Sequence, residues 1–350
     1  MSLWRVVGLA SAVAMAAAGT ANARIVVVAD GLDNPSGLAV SWSGRVFVAE
    51  AGHGGDRRVE WLAPFHYALA GNTGRVSMLL PRGGLVRHSF SDGGWVPIVS
   101  GLPSVALGEG GEVVGPSGLA FRGNALFAGI GAAVPGSGTT AAVRRITMLP
   151  RAIWEVDTWP LVQELTADDL SAASMPYGLT FDRSRTALYI ADTGANAVLR
   201  GFGWRYTPHV FKAWDDNPMP TAVAFGPDGC LYVSMLGHYP FAPGSARIER
   251  VHPDGQSEVV GAELTALTDI KFDRAGRLYA VQVAEFDGER WLPNTGAVLR
   301  IDGSEVEVVA GDLNFPNKIA FGRCGELYIT VNSAYSPPNS GQVVMIAADG

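Results

Sequence analysis

The sequence predicts an all-β fold, a six-bladed β-propeller, on three observations. Hydrophobic residues make up 48% of the 350 residues, while Gly and Pro number 44 and 21. Ample apolar residues for a core, interrupted by frequent turn formers, are typical of many short strands. One phrase recurs six times along the chain, and the spacing of its last copies is that of four-stranded propeller blades.

The recurring phrase has a Pro-x-Gly start, an alternating apolar strand, a Gly-containing turn and a second apolar strand. Its copies occupy residues 34–52, 115–131, 175–194, 219–237, 267–284 and 315–333. Each copy contributes one aligned aromatic residue, and the last four are 43, 47 and 49 residues apart: Phe47, Phe127, Tyr189, Tyr232, Tyr279 and Tyr328. Because these rings recur at the same strand position, we expect them in the core.

Each copy is interpreted as a β-hairpin, since a tight-turn sequence such as Gly-Pro-Asp-Gly at 226–229 joins its two apolar strands. Two further strands follow, which gives four strands per blade. The sixth copy runs out after its third strand at 341–350, whereas an unassigned strand at 24–32 precedes the first copy. We expect this N-terminal strand to join the last blade and close the ring, because closure leaves no sheet edge exposed.

Residues 1–23 have the features of a signal peptide. Arg5 precedes an apolar run at 6–18, and the stretch TANA at 20–23 offers small residues for cleavage. We therefore expect export to the periplasm or the extracellular space, and a mature chain, 24–350, that forms a single propeller domain. No later segment predicts a transmembrane helix, and 33 acidic against 26 basic residues, a net charge of −7, argue against nucleic acid as a partner.

The length beyond the repeats is concentrated after the second strands. In a propeller, these loops emerge on the same side as the Pro-x-Gly segments that line the channel mouth, and insertions on one side usually mark a binding face. The sequence thus predicts a small-molecule or protein ligand on the channel face and does not determine the oligomeric state. The insertions are 53–72, 132–140, 238–245, 285–294 and 334–340.

Several phrases also carry a family resemblance, namely NPSGLAV with VFVAEAG, MPYGL with LYIADTGANAVLR, MPTAVAFGPDGCLYVSMLG with FAPGSARIERVHPDG, and FPNKIAFG. In this order they resemble the ScyD/ScyE-type proteins, which are NHL-repeat-like six-bladed propellers named after members in the scytonemin pigment gene cluster of cyanobacteria. The resemblance implies an exported propeller of the NHL kind. It supplies no catalytic residue set, and it permits a role in tailoring an aromatic secondary metabolite.

The architecture is more distantly similar to calcium- or zinc-dependent lactonases and paraoxonases, to strictosidine synthase and to streptogramin lyases. In the lactonases, metal ligands project from the middle position of the Pro-x-Gly segments. By this resemblance Asn317 matches directly and Asp269 lies one place beyond, so these two are the candidate ligands of a hard cation such as Ca²⁺. The middle positions are Ser36, Ser117, Tyr177, Thr221, Thr268 and Asn317.

The predicted ligand-binding residues lie at the channel mouth and its rim: Ser36, Glu50, His53, Ser117, Tyr177, Asp192, Thr221 and Asn317. Glu50 and Asp192 end second strands and face the same direction, which adds oxygen ligands to the mouth. His53 has acidic neighbours in the first insertion and is the candidate general acid or base. The alternative for His53 is an exposed loop residue that only contacts solvent.

Aromatic residues are frequent in the insertions. With Tyr177, they either form a rim for an aromatic or apolar ligand or pack the long loops onto the blades, and the sequence leaves both open. They are Trp61, Phe65, Tyr67, Tyr239, Phe241, Phe286, Trp291 and Tyr335.

Two functional hypotheses follow. The first is an exported module that binds a small molecule or a protein through its loop-bearing channel face. The alternative is a metal-dependent propeller enzyme, either a lactonase-like hydrolase or an enzyme that tailors an aromatic secondary metabolite. Nucleophile-elbow, phosphate-loop and zinc-protease motifs are absent from the sequence. No catalytic residue is therefore assigned, and Ca²⁺ is the one cofactor proposed.

Overall fold

The computed structural model describes residues 25–60, 67–80, 85–86, 89–90, 94–107, 111–131, 141–148, 154–160, 174–202 and 207–347. These residues form strands and turns without a helix. Within these ranges, therefore, no helix has the length and apolar character needed to cross a membrane. The predicted signal peptide at 1–23 lies outside the described residues.

The strands fall into repeated groups in chain order. The chain starts with β1 (Ile25–Leu32). The first group is β2 (Pro35–Val40), β3 (Val46–Glu50), β4 (Arg57–Glu60), β5 (Tyr67–Leu80), the short pair β6 (Leu85–Val86) and β7 (Ser89–Phe90), β8 (Gly94–Leu107) and β9 (Glu112–Val114). The second is β10 (Pro116–Arg122), β11 (Ala125–Ile130), β12 (Ala142–Met148) and β13 (Trp154–Pro160).

The remaining groups have four strands each or are completed to four. The third is β14 (Pro176–Phe181), β15 (Ala187–Asp192), β16 (Ala197–Phe202) and β17 (Thr207–Ala213). The fourth is β18 (Pro220–Phe225), β19 (Leu231–Met235), β20 (Ala246–Val251) and β21 (Ser257–Leu264). The fifth is β22 (Leu267–Phe272), β23 (Leu278–Gln282), β24 (Gly296–Asp302) and β25 (Glu305–Leu313), and the last is β26 (Ile319–Phe321), β27 (Leu327–Val331) and β28 (Gly341–Ile346).

Each group forms one antiparallel sheet, except that β6 and β7 form a separate two-stranded sheet. The six larger sheets are numbered sheet 1 to sheet 6 in chain order. The first strand of each sheet contacts the first strand of the next, and β26 of sheet 6 also contacts β2 of sheet 1. β1 pairs with β28, so that residues from the N-terminal end of the described chain supply the fourth strand of sheet 6. Four-stranded antiparallel sheets that pack in sequence in this way form a β-propeller.

The hydrophobic core lies between consecutive sheets. The aligned aromatic ring of one sheet meets a Phe of the next edge-on, with ring centroids 4.9–5.2 Å apart. Such edge-to-face pairs contribute about 1 kcal/mol each beyond the area they bury. The pairs are Phe47–Phe121, Phe127–Phe181, Tyr189–Phe225, Tyr232–Phe272 and Tyr279–Phe321. The predicted core role of the aligned aromatic residues is therefore confirmed for these sheets.

One backbone hydrogen bond recurs in every sheet and fixes its entry and exit on the same side. In sheets 1–5 the residue after the second strand donates its amide hydrogen to the carbonyl of the residue before the first strand, and in sheet 6 the two residues lie a few positions beyond the strand ends. The distances from nitrogen to oxygen are 2.9–3.1 Å. The pairs are Ala51 to Asn34, Gly131 to Gly115, Thr193 to Met175, Leu236 to Met219, Val283 to Ala266 and Ser333 to Phe315. The insertions that the structure describes and the Pro-x-Gly segments therefore share a face, as predicted; it is called the loop face below.

Sheet 1 differs from the others by an extension. We predicted the insertion 53–72 as a loop, but β4 pairs with the start of β5, and β5 also pairs with the end of β8. β9 then pairs with the last residues of β8. The insertion thus prolongs the sheet, because its alternating residues on β5 bury one face at Ala68 and Ala70. The insertion at 132–140 lies outside the described residues.

Candidate functional site

The predicted hydroxyl residues of the channel mouth connect neighbouring first strands. Each is buried, and its hydroxyl donates to a backbone carbonyl of the next sheet at 2.5–2.9 Å. The bonds run from Ser36 to Pro116, from Ser117 to Pro176, from Thr221 to Leu267 and from Thr268 to Asn317. A hydroxyl has one proton to donate, so these donors are committed to the fold. Ligand contact by Ser36, Ser117 and Thr221 stays a prediction.

The middle position carries a different side chain in sheets 3 and 6, and these two side chains meet. The Tyr177 hydroxyl donates to the Asn317 side-chain carbonyl at 2.9 Å, although the residues lie 140 positions apart. Burial first, and then the carboxylates of Glu112 and Asp269, raise the pKa of the Tyr177 hydroxyl well above its usual value. Tyr177 therefore remains a neutral hydrogen-bond donor inside the channel.

Lys318, the residue after Asn317, places its ammonium group beneath the Tyr177 ring. The Nζ atom lies 4.1 Å from the ring centroid. It donates to the Thr268 carbonyl at 2.5 Å and to the Thr221 carbonyl at 3.4 Å. Burial lowers the pKa of Lys318 to about 7, and this outweighs the opposite effect of Asp269. Lys318 was not predicted as a site residue, whereas the structure buries it between the Tyr177 ring and the first strands of sheets 4 and 5.

Asp269 is buried, and both of its oxygens have protein partners. Oδ1 accepts a hydrogen bond from the Lys271 ammonium at 2.8 Å, and Oδ2 accepts one from the Ile319 amide at 3.0 Å. The Asn317 oxygen is bound by Tyr177. A Ca²⁺ ion needs six to eight free oxygens, and the ammonium of Lys318 already contacts two carbonyls here. The residues present therefore do not fit a metal, and calcium binding at Asp269 and Asn317 stays a prediction.

Glu112 belongs to the mouth and was not identified from the sequence. It lies on β9 of the sheet 1 extension, and its charge adds to the larger effect of burial that raises the pKa of the Tyr177 and Tyr335 hydroxyls. Glu112 is exposed, yet desolvation by the surrounding protein raises the pKa of its carboxyl group. The Tyr335 amide donates to the Gly111 carbonyl at 2.7 Å. The extension of sheet 1 thus reaches the insertion of sheet 6.

Glu50 and Asp192 are fully buried and hold the loop face together. The Asp33 amide donates to Glu50 Oε2 at 2.8 Å, and the Met175 amide donates to Asp192 Oδ1 at 2.6 Å. Both carboxylates therefore fix the segment that enters a first strand. Burial raises the pKa of Asp192, against the effect of its hydrogen bonds. Their predicted ligand role stays a prediction.

His53 forms a dyad with Asp33, at the same place on the loop face. The Asp33 Oδ2 atom lies 2.5 Å from His53 Nδ1. The Asp33 side chain is 4% exposed, whereas that of His53 is 47% exposed. The backbone of the histidine is also fixed, because its amide donates to the Thr73 hydroxyl at 3.0 Å. A buried carboxylate that orients a solvent-facing imidazole is the arrangement of a general base.

The dyad is supported by a second layer of polar groups. Glu50, which holds the Asp33 amide, also accepts a hydrogen bond from Ser77 at 2.5 Å and forms an ion pair with Arg75 at 2.6 Å. The other oxygen of Asp33 is buried and has no hydrogen-bond partner among the described residues. Asp33 was missed from the sequence because it lies 20 residues before His53, outside the insertion.

The aromatic residues of the sheet 4 and sheet 5 insertions form one cluster. Phe241 and Trp291 stack with their centroids 5.1 Å apart, and Phe286 lies within 5.1 Å of Trp291 and 6.0 Å of Phe241. Tyr239 joins them at 6.4 Å from Phe286 and is 69% exposed. We call these four residues the aromatic cluster. The predicted rim residues Trp61 and Phe65, together with His66, lie outside the described residues.

Tyr335 connects the aromatic cluster to sheet 6. Its ring lies 5.4 Å from that of Phe315, and the Trp291 side chain is near enough to its hydroxyl to lower the pKa of that group against the larger effect of burial. Tyr335 is 41% exposed and also touches the sheet 1 extension through Gly111. We call the aromatic cluster together with Tyr335 the aromatic wall, which extends over the described loop face from sheet 4 to sheet 6. Through Gly111, Tyr335 contacts the sheet 1 extension that carries Glu112.

A separate groove of about 270 Å³ lies away from these residues. It is formed by the outer strands of sheet 3 and by the turn at 253–255, which is on the side opposite the loop face. None of the predicted site residues line it.

No protein-family model and no curated protein matches the chain. Solved structures do, and three of them align with 93% of this chain. A gluconolactonase from Xanthomonas campestris aligns over 90% of its own length with 13% identity and a TM-score of 0.56. The soluble aldose sugar dehydrogenase from Escherichia coli aligns over 99% with 12% identity and a TM-score of 0.55. Virginiamycin B lyase from Staphylococcus aureus aligns over 99% with 13% identity and a TM-score of 0.53. At these identities the likeness shows the propeller fold.

Proposed function

We propose that the protein is an exported six-bladed propeller that binds a small aromatic or apolar molecule on its loop face. The ring of six blades is supported by the contacts between consecutive first strands and by the pairing of β1 with β28. Export through residues 1–23 predicts a mature N-terminus at Arg24 in the periplasmic or culture fraction, and N-terminal sequencing that finds Met1 there would contradict it.

The observation that carries the proposal is the exposed aromatic wall. Tyr239 and Tyr335 keep 69% and 41% of their surface exposed on the loop face, although both touch other aromatic rings. Exposed aromatic surface next to a polar channel provides stacking area for a planar ligand, with hydrogen-bonding groups at its end. This arrangement favours a ligand-binding rim. Rings that served only to pack the loops onto the blades would be buried instead.

The proposal is tested with 2-naphthol as a neutral aromatic probe, using isothermal titration calorimetry. We expect Tyr239→Ala and Trp291→Ala to weaken binding at least tenfold, because each removes a stacking surface. Trp42→Ala is the matched control, since Trp42 is 71% exposed but lies in the turn between β2 and β3, opposite the loop face. Equal affinities in all three variants, or no binding by the unaltered protein, would overturn the proposal.

A second candidate function is hydrolysis of a lactone with His53 as general base. The Asp33–His53 dyad favours it, and the likeness to a gluconolactonase gives the substrate class to test first. In this reaction His53 takes a proton from the water molecule that attacks the lactone carbonyl, while Asp33 holds the imidazole in place. General-base catalysis contributes about 10²- to 10⁴-fold.

This second candidate is tested by measuring the hydrolysis of glucono-1,5-lactone above the buffer rate. Asp33→Asn and His53→Gln are each expected to lower kcat about a hundredfold or more with little change in KM. His238→Gln, an exposed histidine in the sheet 4 insertion, serves as the control and should retain full activity. Equal kcat in the three variants would eliminate the dyad as the catalytic base.

A further inference from the structure

The groove between sheets 3 and 4 has the lining of a small ligand site. Its volume of about 270 Å³ is close to the lower limit for pockets that hold small molecules. Aromatic side chains of β16 and β17 line it together with Arg200 and His209, and the turn at 253–255 closes one side. Because the groove lies opposite the loop face, it is independent of the functions proposed above.

Arg200 is one of four arginines at the same place in consecutive sheets. On the third strands of sheets 2–5, an arginine stands opposite the aligned aromatic residue of the second strand. In sheets 2, 4 and 5 the fourth strand places an acidic residue on the other side of this arginine. The pairs are Arg145–Asp157, Arg250–Glu258 and Arg300–Glu307. In sheet 3 the residue opposite Arg200 is His209.

Without this acid, Arg200 has no ion pair within the described ranges. Arg250 forms an ion pair with Glu258 at 2.7 Å, and Arg300 forms one with Glu307. The Nε atom of Arg200 is buried and has no hydrogen-bond partner among the described residues. In this part of the chain, therefore, no carboxylate compensates the charge of Arg200, and that charge lies at the groove.

Aromatic rings hold the guanidinium group of Arg200 in place. Its Cζ atom lies 4.0 Å from the centroid of the Phe202 ring, 5.2 Å from that of Tyr189 and 5.7 Å from that of Phe211. Contacts of this kind use the face of the planar guanidinium group, while its N–H groups point outward in the plane. An arginine held in this way is suited to bind a carboxylate through two parallel hydrogen bonds.

We infer that the groove binds a small monoanion, a carboxylate carried on an aromatic ring, and that Arg200 binds its carboxylate group. The ligand takes the place of the acid that the fourth strand provides in sheets 4 and 5. Its ring packs on Phe202 and Val210, which expose 47% and 43% of their surface in the groove. Asp254 also lines the groove and repels a second negative charge, so the ligand has one.

The test uses 2-naphthoate as the probe in isothermal titration calorimetry. We expect Arg200→Gln to weaken its binding at least about tenfold, because the variant loses charge-assisted hydrogen bonds. Arg300→Gln is the matched control, since it removes an aligned arginine that already has an acidic partner, and it should retain the affinity. The unaltered protein should bind 2-naphthamide, which has the same ring but no charge, at least about tenfold more weakly than 2-naphthoate.

A second variant separates loss of the site from loss of the fold. His209→Glu restores the acid that sheets 4 and 5 have at this position, so that Arg200 gains an ion pair within its own sheet. We expect it to weaken 2-naphthoate binding at least about tenfold, with a melting temperature equal to or above that of the unaltered protein. Ala213→Glu adds the same charge at the far, exposed end of β17 and should retain the affinity.

Four results would overturn the inference. The first is no binding of 2-naphthoate by the unaltered protein, and the second is equal affinity in Arg200→Gln, His209→Glu and the unaltered protein. The third is loss of binding in Tyr239→Ala but not in Arg200→Gln, which would assign the probe to the loop face. The fourth is tighter binding of naphthalene-2,6-dicarboxylate than of 2-naphthoate, because the inferred ligand has a single charge.

Discussion

Sheets 1–3 and sheets 4–6 use the third residue of the same repeat in different ways. In the first half it is glycine, and a Cβ atom at Gly37 would lie 1.8 Å from the Ser117 carbonyl oxygen. One at Gly178 would lie 2.6 Å from the Cα atom of Ala222. In the second half the same position carries Ala222, Asp269 or Lys318. The first strands of sheets 1–3 therefore pack backbone against backbone, whereas those of sheets 5 and 6 admit charged side chains.

This difference determines which sheets supply the charged side chains of the channel. Asp269 and Lys318 come from the half that has room for side chains, and the Tyr177 ring from the tightly packed half covers Lys318. The middle position follows a second rule, because four hydroxyl residues connect neighbouring strands and only Tyr177 and Asn317 reach each other. Most side chains at the middle position of the repeat thus stabilise the fold, and only Tyr177 and Asn317 contribute to the candidate site.

Gly37→Ala tests the tight packing of sheets 1–3 and has the largest expected effect on the free energy of unfolding. The added methyl group meets backbone that cannot move without separating β2 from β10, so we expect a loss of about 3 kcal/mol or more in the free energy of unfolding, measured with urea. Ala222→Gly, at the equivalent place in the other half, should cost about 1 kcal/mol. Similar losses in both variants would contradict the difference between the halves.

The pH dependence of stability tests Lys318, one of the charged side chains that sheets 4–6 admit. The unfolded chain keeps the Lys318 proton up to about pH 10.4, while the folded protein releases it above about pH 7. The unfolded state thus binds more protons in this window, and the free energy of unfolding rises with pH. We expect a gain of about 2 kcal/mol between pH 7 and pH 9 that is absent in Lys318→Met. The same slope in both proteins would show that this lysine has an ordinary pKa.

Thr221→Val tests whether the residue at the middle position of sheet 4 stabilises the fold or contacts the ligand. The change keeps the shape of the side chain but removes the hydroxyl that donates to the Leu267 carbonyl at 2.8 Å. Loss of a buried hydrogen bond with an acceptor left unpaired costs about 1–2 kcal/mol. We therefore expect a lower urea midpoint with unchanged affinity for 2-naphthol. A tenfold weaker affinity at unchanged stability would instead make Thr221 a ligand contact, as the sequence predicted.

The sequence was sufficient for the repeated parts of the molecule. The turn at 226–229 and the aligned rings such as Phe47 and Tyr279 follow from local pattern. The pairing of the N-terminal strand with the last sheet follows from counting strands, because the last copy lacks a fourth strand. The extension of sheet 1 did not, because the glycines at 71 and 74 interrupt β5 and make it read as a loop.

The site was harder to predict, because its contacts join residues far apart in the chain. The bond between Tyr177 and Asn317 spans 140 residues, and the His53–Asp33 dyad joins an insertion to the segment before the repeat. Two signals were available. Lys318 is one of three lysines and stands where the first three repeats have glycine, and Asp33 directly precedes the first copy of the repeat.

Addition of calcium tests sheets 4–6, where the first strands have room for side chains, and it has the smallest expected effect on the melting temperature. An ion present at a hundred times its Kd would stabilise the folded protein by about 2.7 kcal/mol, which raises the melting temperature by several degrees. Because Asp269 has no free oxygen and Lys318 contacts the Thr268 and Thr221 carbonyls, we expect no shift after EDTA treatment and addition of Ca²⁺ at constant ionic strength. A calcium-dependent rise that disappears in Asp269→Asn would show that the ion displaces the ammonium. The channel would then hold a metal in place of the Lys318 ammonium group.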